Sequence, residues 1–256
     1  MPRLLFVLAL LSATAAFAAP PYASSVVGTE IDFIRSDDPA PRFCINPLGP
    51  DRAEMPDKRN DVLFADGVLV FEAVFADATQ VNLFAHPDLG EREARLLVEA
   101  VVPRLAKLPT FMRRTLSHVV LHSGDETAFA ESDGGFFVLY SGNVAKRIAT
   151  NDLEETVFHE AVHATLDRAV LGSRGWRAAQ RSDGAFLTRY AAANPDKEDL
   201  AETALFAFAL RTPGRLDASV ERTVRTLVPA RLAYLADLFE RNEPLQRGLD
   251  VPMGCP

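Results

Sequence analysis

His159, Glu160 and His163 stand together as HEAVH, an HExxH spacing in a stretch of helical composition. Residues four apart share one face of a helix. Two imidazoles at that spacing can converge on a single metal ion, and the Glu beside the first His sits near a water held by that ion. The chemistry open to such a group is metal-assisted hydrolysis, with Glu160 as general base and zinc as the expected ion, one per chain.

A catalytic zinc has three protein ligands and an open position for water. HEAVH supplies two. His86, His118 and His122 precede the motif. His118 and His122 fall in a β-like segment, where a spacing of four also gives a shared face; core or surface histidines are expected there rather than a second metal pair. Asp167, four residues after His163, points past the ion along a straight helix. It suits the part of acceptor for the free N–H of a ligand histidine better than that of a ligand. The best candidate is Glu198, 35 residues after His163, with Glu202 four further on. On a helix both carboxylates face one side, so one can ligate while the other accepts the N–H of a ligand imidazole.

HEAVH followed by Glu198-Asp-Leu-Ala-Glu202 on a second helix resembles the gluzincin metallopeptidases, the group of thermolysin, anthrax lethal factor and Mlc titration factor A. The resemblance runs from about Val119 to Leu210 and is specific at the two motifs. It implies a zincin-like fold, with His159, His163 and Glu198 as ligands and Glu202 supporting them. It also makes Tyr190, shortly before the ligand Glu, a candidate to stabilise the oxyanion, with Tyr140 a weaker one. The extended HExxHxxGxxH of metzincins is absent; Leu166 and Arg168 occupy that stretch. The implied activity is hydrolysis of peptide bonds in a protein or peptide substrate. The same site would also serve hydrolysis of cell-wall or other amides. A non-catalytic binding or chaperone-like module is a third option, against which the intact Glu160 weighs.

The elements that must carry these residues can be read coarsely. Val62 to Ala76 is apolar and β-rich, broken at Asp66-Gly67, which predicts a hairpin. Asp88 and Glu91 open a helical pattern to about Lys107, with Leu96, Leu97, Ala100, Val101 and Leu105 on one face and Pro103 expected to kink or shorten it. Val119–Leu121 reads as a short strand. Gly134 to Tyr140 (GGFFVLY) reads as a second, placed to be a sheet edge that binds a peptide by strand addition, or else a core strand. Asn151 is the predicted N-cap of the HEAVH helix, which should run to about Val170. Asn194-Pro195 should open the helix carrying Glu198, and two more helices follow, Leu216 to Leu227 and Pro229 to Arg241. The fold class expected is α+β: a small mixed sheet with an edge strand before the motif helix, then a mostly helical C-terminal half.

Arg3, the apolar run Leu4–Leu11 and Ala16-Phe17-Ala18 read as a signal peptide over residues 1–19, so export to a periplasm or extracellular space is expected. Residues 20–60, rich in Pro, Asp and Arg, should be irregular, and 61–256 should form the zincin-like metallopeptidase domain. No later segment is an unbroken apolar run long enough to span a bilayer. The formal net charge of −8 and the Lys and Arg scattered among carboxylates argue against a nucleic-acid partner. The two cysteines, Cys44 and Cys255, stand at opposite ends. They offer no cysteine-based zinc site, and in an oxidising compartment a bridge between them would be worth roughly 4–5 kcal/mol of chain entropy.

Overall fold

The computed structural model describes residues 19–243. Residues 1–18 of the expected signal peptide, and Cys255, lie outside the described residues; Cys44 is disulfide-bonded.

In chain order, strands β1 (Phe43–Glu54), β2 (Phe64–Phe75) and β3 (Gln80–Ala85) precede helices α1 (Gly90–Ala106) and α2 (Thr110–Thr115). Strands β4 (His118–His122), β5 (Phe129–Glu131) and β6 (Phe136–Tyr140) follow. Then come α3 (Ser141–Ala149), α4 (Leu153–Val170), α5 (Arg174–Asp183), α6 (Arg189–Ala193), α7 (Asp199–Ala209), α8 (Ala218–Leu227) and α9 (Pro229–Asn242). The six strands form one mixed sheet ordered β1-β2-β3-β4-β6-β5. β3, β4 and β6 run parallel, and β5 closes one edge antiparallel to β6. The class is α+β, strands leading and helices following.

Alternation on the central strands sorts their side chains between two cores. Val119, Leu121, Phe137 and Leu139 face the helices, while Val120, Phe136, Val138 and Tyr140 enter a smaller cluster on the opposite face. This corrects the reading of GGFFVLY as an edge. All five residues of β6 are buried, because a continuous apolar run marks a strand covered on both faces and paired on both sides. The edge is β5, three residues with no apolar periodicity.

Three further expectations give way. Residues 20–60 are not irregular throughout, since β1 lies within them. Val62 to Ala76 is no hairpin: β2 runs straight through Asp66-Gly67. There Gly67 adopts φ +74°, and the register with β1 skips one residue between Asp51 and Ala53. That is a bulge with glycine in the left-handed position, which only sharpens the strand's twist. Pro103 does not shorten α1, which runs on to Ala106, and the buried stripe is Ala94, Leu97, Val98, Val101, Val102 and Leu105, with Leu96 exposed rather than on that face.

α4 spans Leu153–Val170, within two residues of its predicted start, but Asn151 does not cap it. Asn151 sits at φ +55°, and the cap position is Asp152, with no side-chain cap bond. Asn194-Pro195 likewise opens no helix. Asn194 ends α6, and its carbonyl accepts the N–H groups of Lys197 and Glu198 in a tight turn. α7 therefore starts at Asp199, and Glu198 occupies its cap. α4 and α7 are buried on nearly every side and pack against each other.

Candidate metal centre

The packing of α4 on α7 brings the two sequence motifs to one point. His159 Nε2 and His163 Nε2 are 3.1 Å apart, and Glu198 Oε2 lies 3.3 Å from the first and 3.2 Å from the second. Three donor atoms thus form a nearly equilateral triangle. A four-coordinate ion with bonds near 2.0–2.1 Å needs ligand atoms roughly 3.3–3.4 Å apart, so the triangle fits such an ion with little adjustment. Among the described residues this is the one group of His, Cys, Asp or Glu that could hold a metal ion.

The electrostatics favour a cation here. Burial works against the charge of Glu198, but its contacts with His159 and His163 outweigh it and hold the carboxyl well below its ordinary range. Burial alone would lower the pKa of His163; hydrogen bonds to Asp167 and Glu198 reverse that and carry it to about 10. His163 therefore sits where positive charge is welcome, and a divalent ion supplies it as well as a proton does. His163 Nδ1 is 2.7 Å from Asp167 Oδ2, so Asp167 pairs with the imidazole nitrogen that faces away from the triangle and is not one of its three corners. Glu202 is fully buried, with one carboxylate oxygen 3.7 Å from His159 Nδ1.

Glu160, next to His159, lines the same cleft, a cavity of about 690 Å³. Burial pushes its pKa up, against the pull of His159 and His163. A raised pKa makes this carboxylate a stronger base than an ordinary Glu. Tyr190 also lines the cleft and is 43% exposed. Burial of its hydroxyl, then the charge of Glu198 and a hydrogen bond to it, raise the phenol to about 12, so it stays a proton donor.

Tyr140 is excluded from the oxyanion role by its place. It is fully buried in the cluster on the far face, where its hydroxyl donates to Asp57 and accepts from Lys58 N–H. His122 is buried and His118 half-buried, and each packs on aromatic rings. His118 is stacked between Phe84 and Phe136, each ring centroid 4.6 Å away, and burial lowers its pKa to about 4. His122 stacks on Tyr140 and contacts the Pro56 carbonyl.

Several cleft residues carry no sequence signal. Strand β5 forms one wall with Phe129, Ala130 and Glu131. Lys58 reaches over from the β1–β2 connection, and its Nζ donates to the carbonyls of Thr127 and Ala128. Asn143 and Arg147, one turn apart on α3, line the cleft as well. Ala23, Ser24, Val26 and Val27, from the N-terminal stretch, form the opposite lip. Unlike Asp167, which its spacing of four after His163 marks, these residues have nothing local that marks them. Comparison with protein-family models, curated proteins and solved structures finds no match to this chain.

Proposed function

We propose that the chain is a zinc-dependent peptidase of the gluzincin type, exported in keeping with its N-terminal sequence. The observation that carries the proposal is the Nε2–Nε2–Oε2 triangle of His159, His163 and Glu198, with Glu160 beside it in an open cleft. A zinc ion, when bound, supplies a Lewis acid that polarises a carbonyl and acidifies a water. His159 and His163 would hold it as neutral imidazoles, oriented by Glu202 and Asp167, and Glu198 would supply the anionic ligand. Glu160 would take the proton of the attacking water and pass it to the leaving nitrogen; its burial raises its basicity. Tyr190 offers its O–H to the developing oxyanion.

The zincin-like part of the proposal draws on the topology. A mixed sheet ends in a short antiparallel strand, β5, that lines the cleft beside α4. An extended peptide laid along β5 would place a carbonyl against Glu160 and the metal centre by strand addition. No helix of the described residues is long and apolar enough to cross a membrane.

Metal analysis of the purified protein, followed by a casein or peptide-library assay with and without chelator, tests the proposal. About one zinc per chain and chelator-sensitive cleavage are expected, with Glu160→Gln keeping the metal and losing at least about 100-fold in rate. Cleavage that survives both chelation and Glu160→Gln would refute it.

A further inference from the structure

Glu202 presents a physical problem that the ligand set does not solve. Its side chain is fully buried, and a buried carboxylate is costly unless its oxygens are satisfied. The partners come from the other end of the chain. Ser24 Oγ–H donates to Oε1 at 2.9 Å, and the backbone N–H of Ser25 donates to Oε2 at 2.7 Å. Both serines are buried. The same carboxylate lies 3.7 Å from His159 Nδ1, a buried nitrogen with no hydrogen-bond partner of its own.

The serines are held in register by backbone bonds. Tyr22 N–H donates to the Leu187 carbonyl, and the carbonyls of Tyr22 and Ala23 accept the N–H groups of Arg189 and Tyr190. The Tyr22 ring packs on Phe206 of α7 at 5.2 Å. Ten residues on, the N–H groups of Phe33 and Ile34 both donate to Glu155 Oε1 on α4. One irregular segment is therefore tied by buried carboxylates to both helices that carry the ligands, and it fixes the backbone of Tyr190 on the way.

We propose that the segment Tyr22–Ile34 is a strap that completes the metal centre, with Ser24 and Ser25 as positioning residues that aim Glu202 at His159 Nδ1. A ligand histidine that binds metal through Nε2 carries its proton on Nδ1, and that N–H needs a fixed acceptor to set the ring's direction. Glu202 can serve only if its carboxylate is held in one orientation, and the strap holds both oxygens. A shift of less than 1 Å then closes 3.7 Å to a hydrogen bond. This inference rests on the metal-centre part of the proposed function.

Zinc competition against a chromophoric chelator tests it, on the full chain, with the thermal midpoint of the metal-free protein measured alongside. Ser24→Ala should weaken zinc binding about 10- to 100-fold, the range found when such supporting partners are removed. Ser24→Thr, which keeps the hydroxyl, should retain most of the affinity. A role confined to packing would lower the thermal midpoint and leave zinc affinity unchanged, and that result overturns the proposal. So does an equal loss in the Ala and Thr variants. The affinity ratio is read without hydrolysis, so a chain that binds zinc yet cleaves nothing overturns the peptidase proposal and not this one.

Discussion

Arg231→Met tests how the helical half holds Glu198 in place. Arg231 and Asp199 are fully buried, and the Asp183 side chain is 1% exposed. Arg231 Nε donates to Asp183 Oδ2 at 3.0 Å, Nη1 to Asp199 Oδ1 at 2.5 Å, and Nη2 to the Ala185 carbonyl. Asp183 also accepts the N–H groups of Ala230 and Arg231, so it caps α9 while pairing with it. Asp199 is the first residue of α7, directly after Glu198. Methionine roughly matches the aliphatic stem but leaves two carboxylates in a dry interior without their cation. Breaking a buried pair in this way costs about 3–5 kcal/mol. At roughly 2–4 °C per kcal/mol for a chain of this size, the midpoint should fall by about 6–20 °C. Urea denaturation read by linear extrapolation gives the free energy directly. Adding Asp199→Asn removes one stranded charge and should restore part of the loss, because the penalty lies in the uncompensated carboxylates. A loss under about 1 kcal/mol, or a double variant as damaged as the sum of its singles, would refute the reasoning.

Three other outcomes are expected. Asp167→Asn removes the carboxylate that orients His163 and should weaken zinc binding about 10- to 100-fold in chelator competition; unchanged affinity would make Asp167 a surface charge. Tyr190→Phe should leave metal content intact and lower kcat by about 100- to 1000-fold, and an unaffected kcat would remove the phenol from the oxyanion role. Glu155, lifted to about 7 chiefly by burial against its ordinary 4.5, should make stability fall as pH rises. The folded state binds the extra proton between those values, so the destabilisation grows from about pH 4.5 to 7 and then levels, at an upper limit of about 3 kcal/mol. Glu155→Gln keeps an acceptor for Phe33 and Ile34 and should gain on the wild type between pH 5 and pH 8. Urea curves separated by the same amount at both pH values would contradict the assignment.

What could be read from sequence follows the range of the interactions. HEAVH, Asp167 and the Glu198–Glu202 pair are i, i+4 relations on single helices, and that spacing holds wherever the helix goes. The end of α4 at Val170 and the start of α9 at Pro229 were local too. Caps failed for a physical reason. Asn151 is well suited to an N-cap, but it also tolerates the left-handed conformation, and it took that role in the turn ahead of Asp152. Asn194-Pro195 mimics a helix start, yet the carbonyl of Asn194 closes a turn whose effect is to set Glu198, rather than Asn194, at the head of α7.

The sheet edge and the strap were hidden for different reasons. GGFFVLY carried its own answer: five successive apolar residues describe a strand covered on both faces, which an edge beside a solvent-filled cleft is not. β5, by contrast, is Phe-Ala-Glu, too short for any periodicity, and becomes a strand only because β6 is there to pair with it. The bond from Ser24 to Glu202 spans 178 residues, and a serine in a proline-rich stretch has no local mark that separates it from any other. What does leave a mark is the need it meets. A buried carboxylate needs donors for both its oxygens, and the single imidazole N–H that the spacing assigns to Glu202 leaves room for the donors that Ser24 and Ser25 supply.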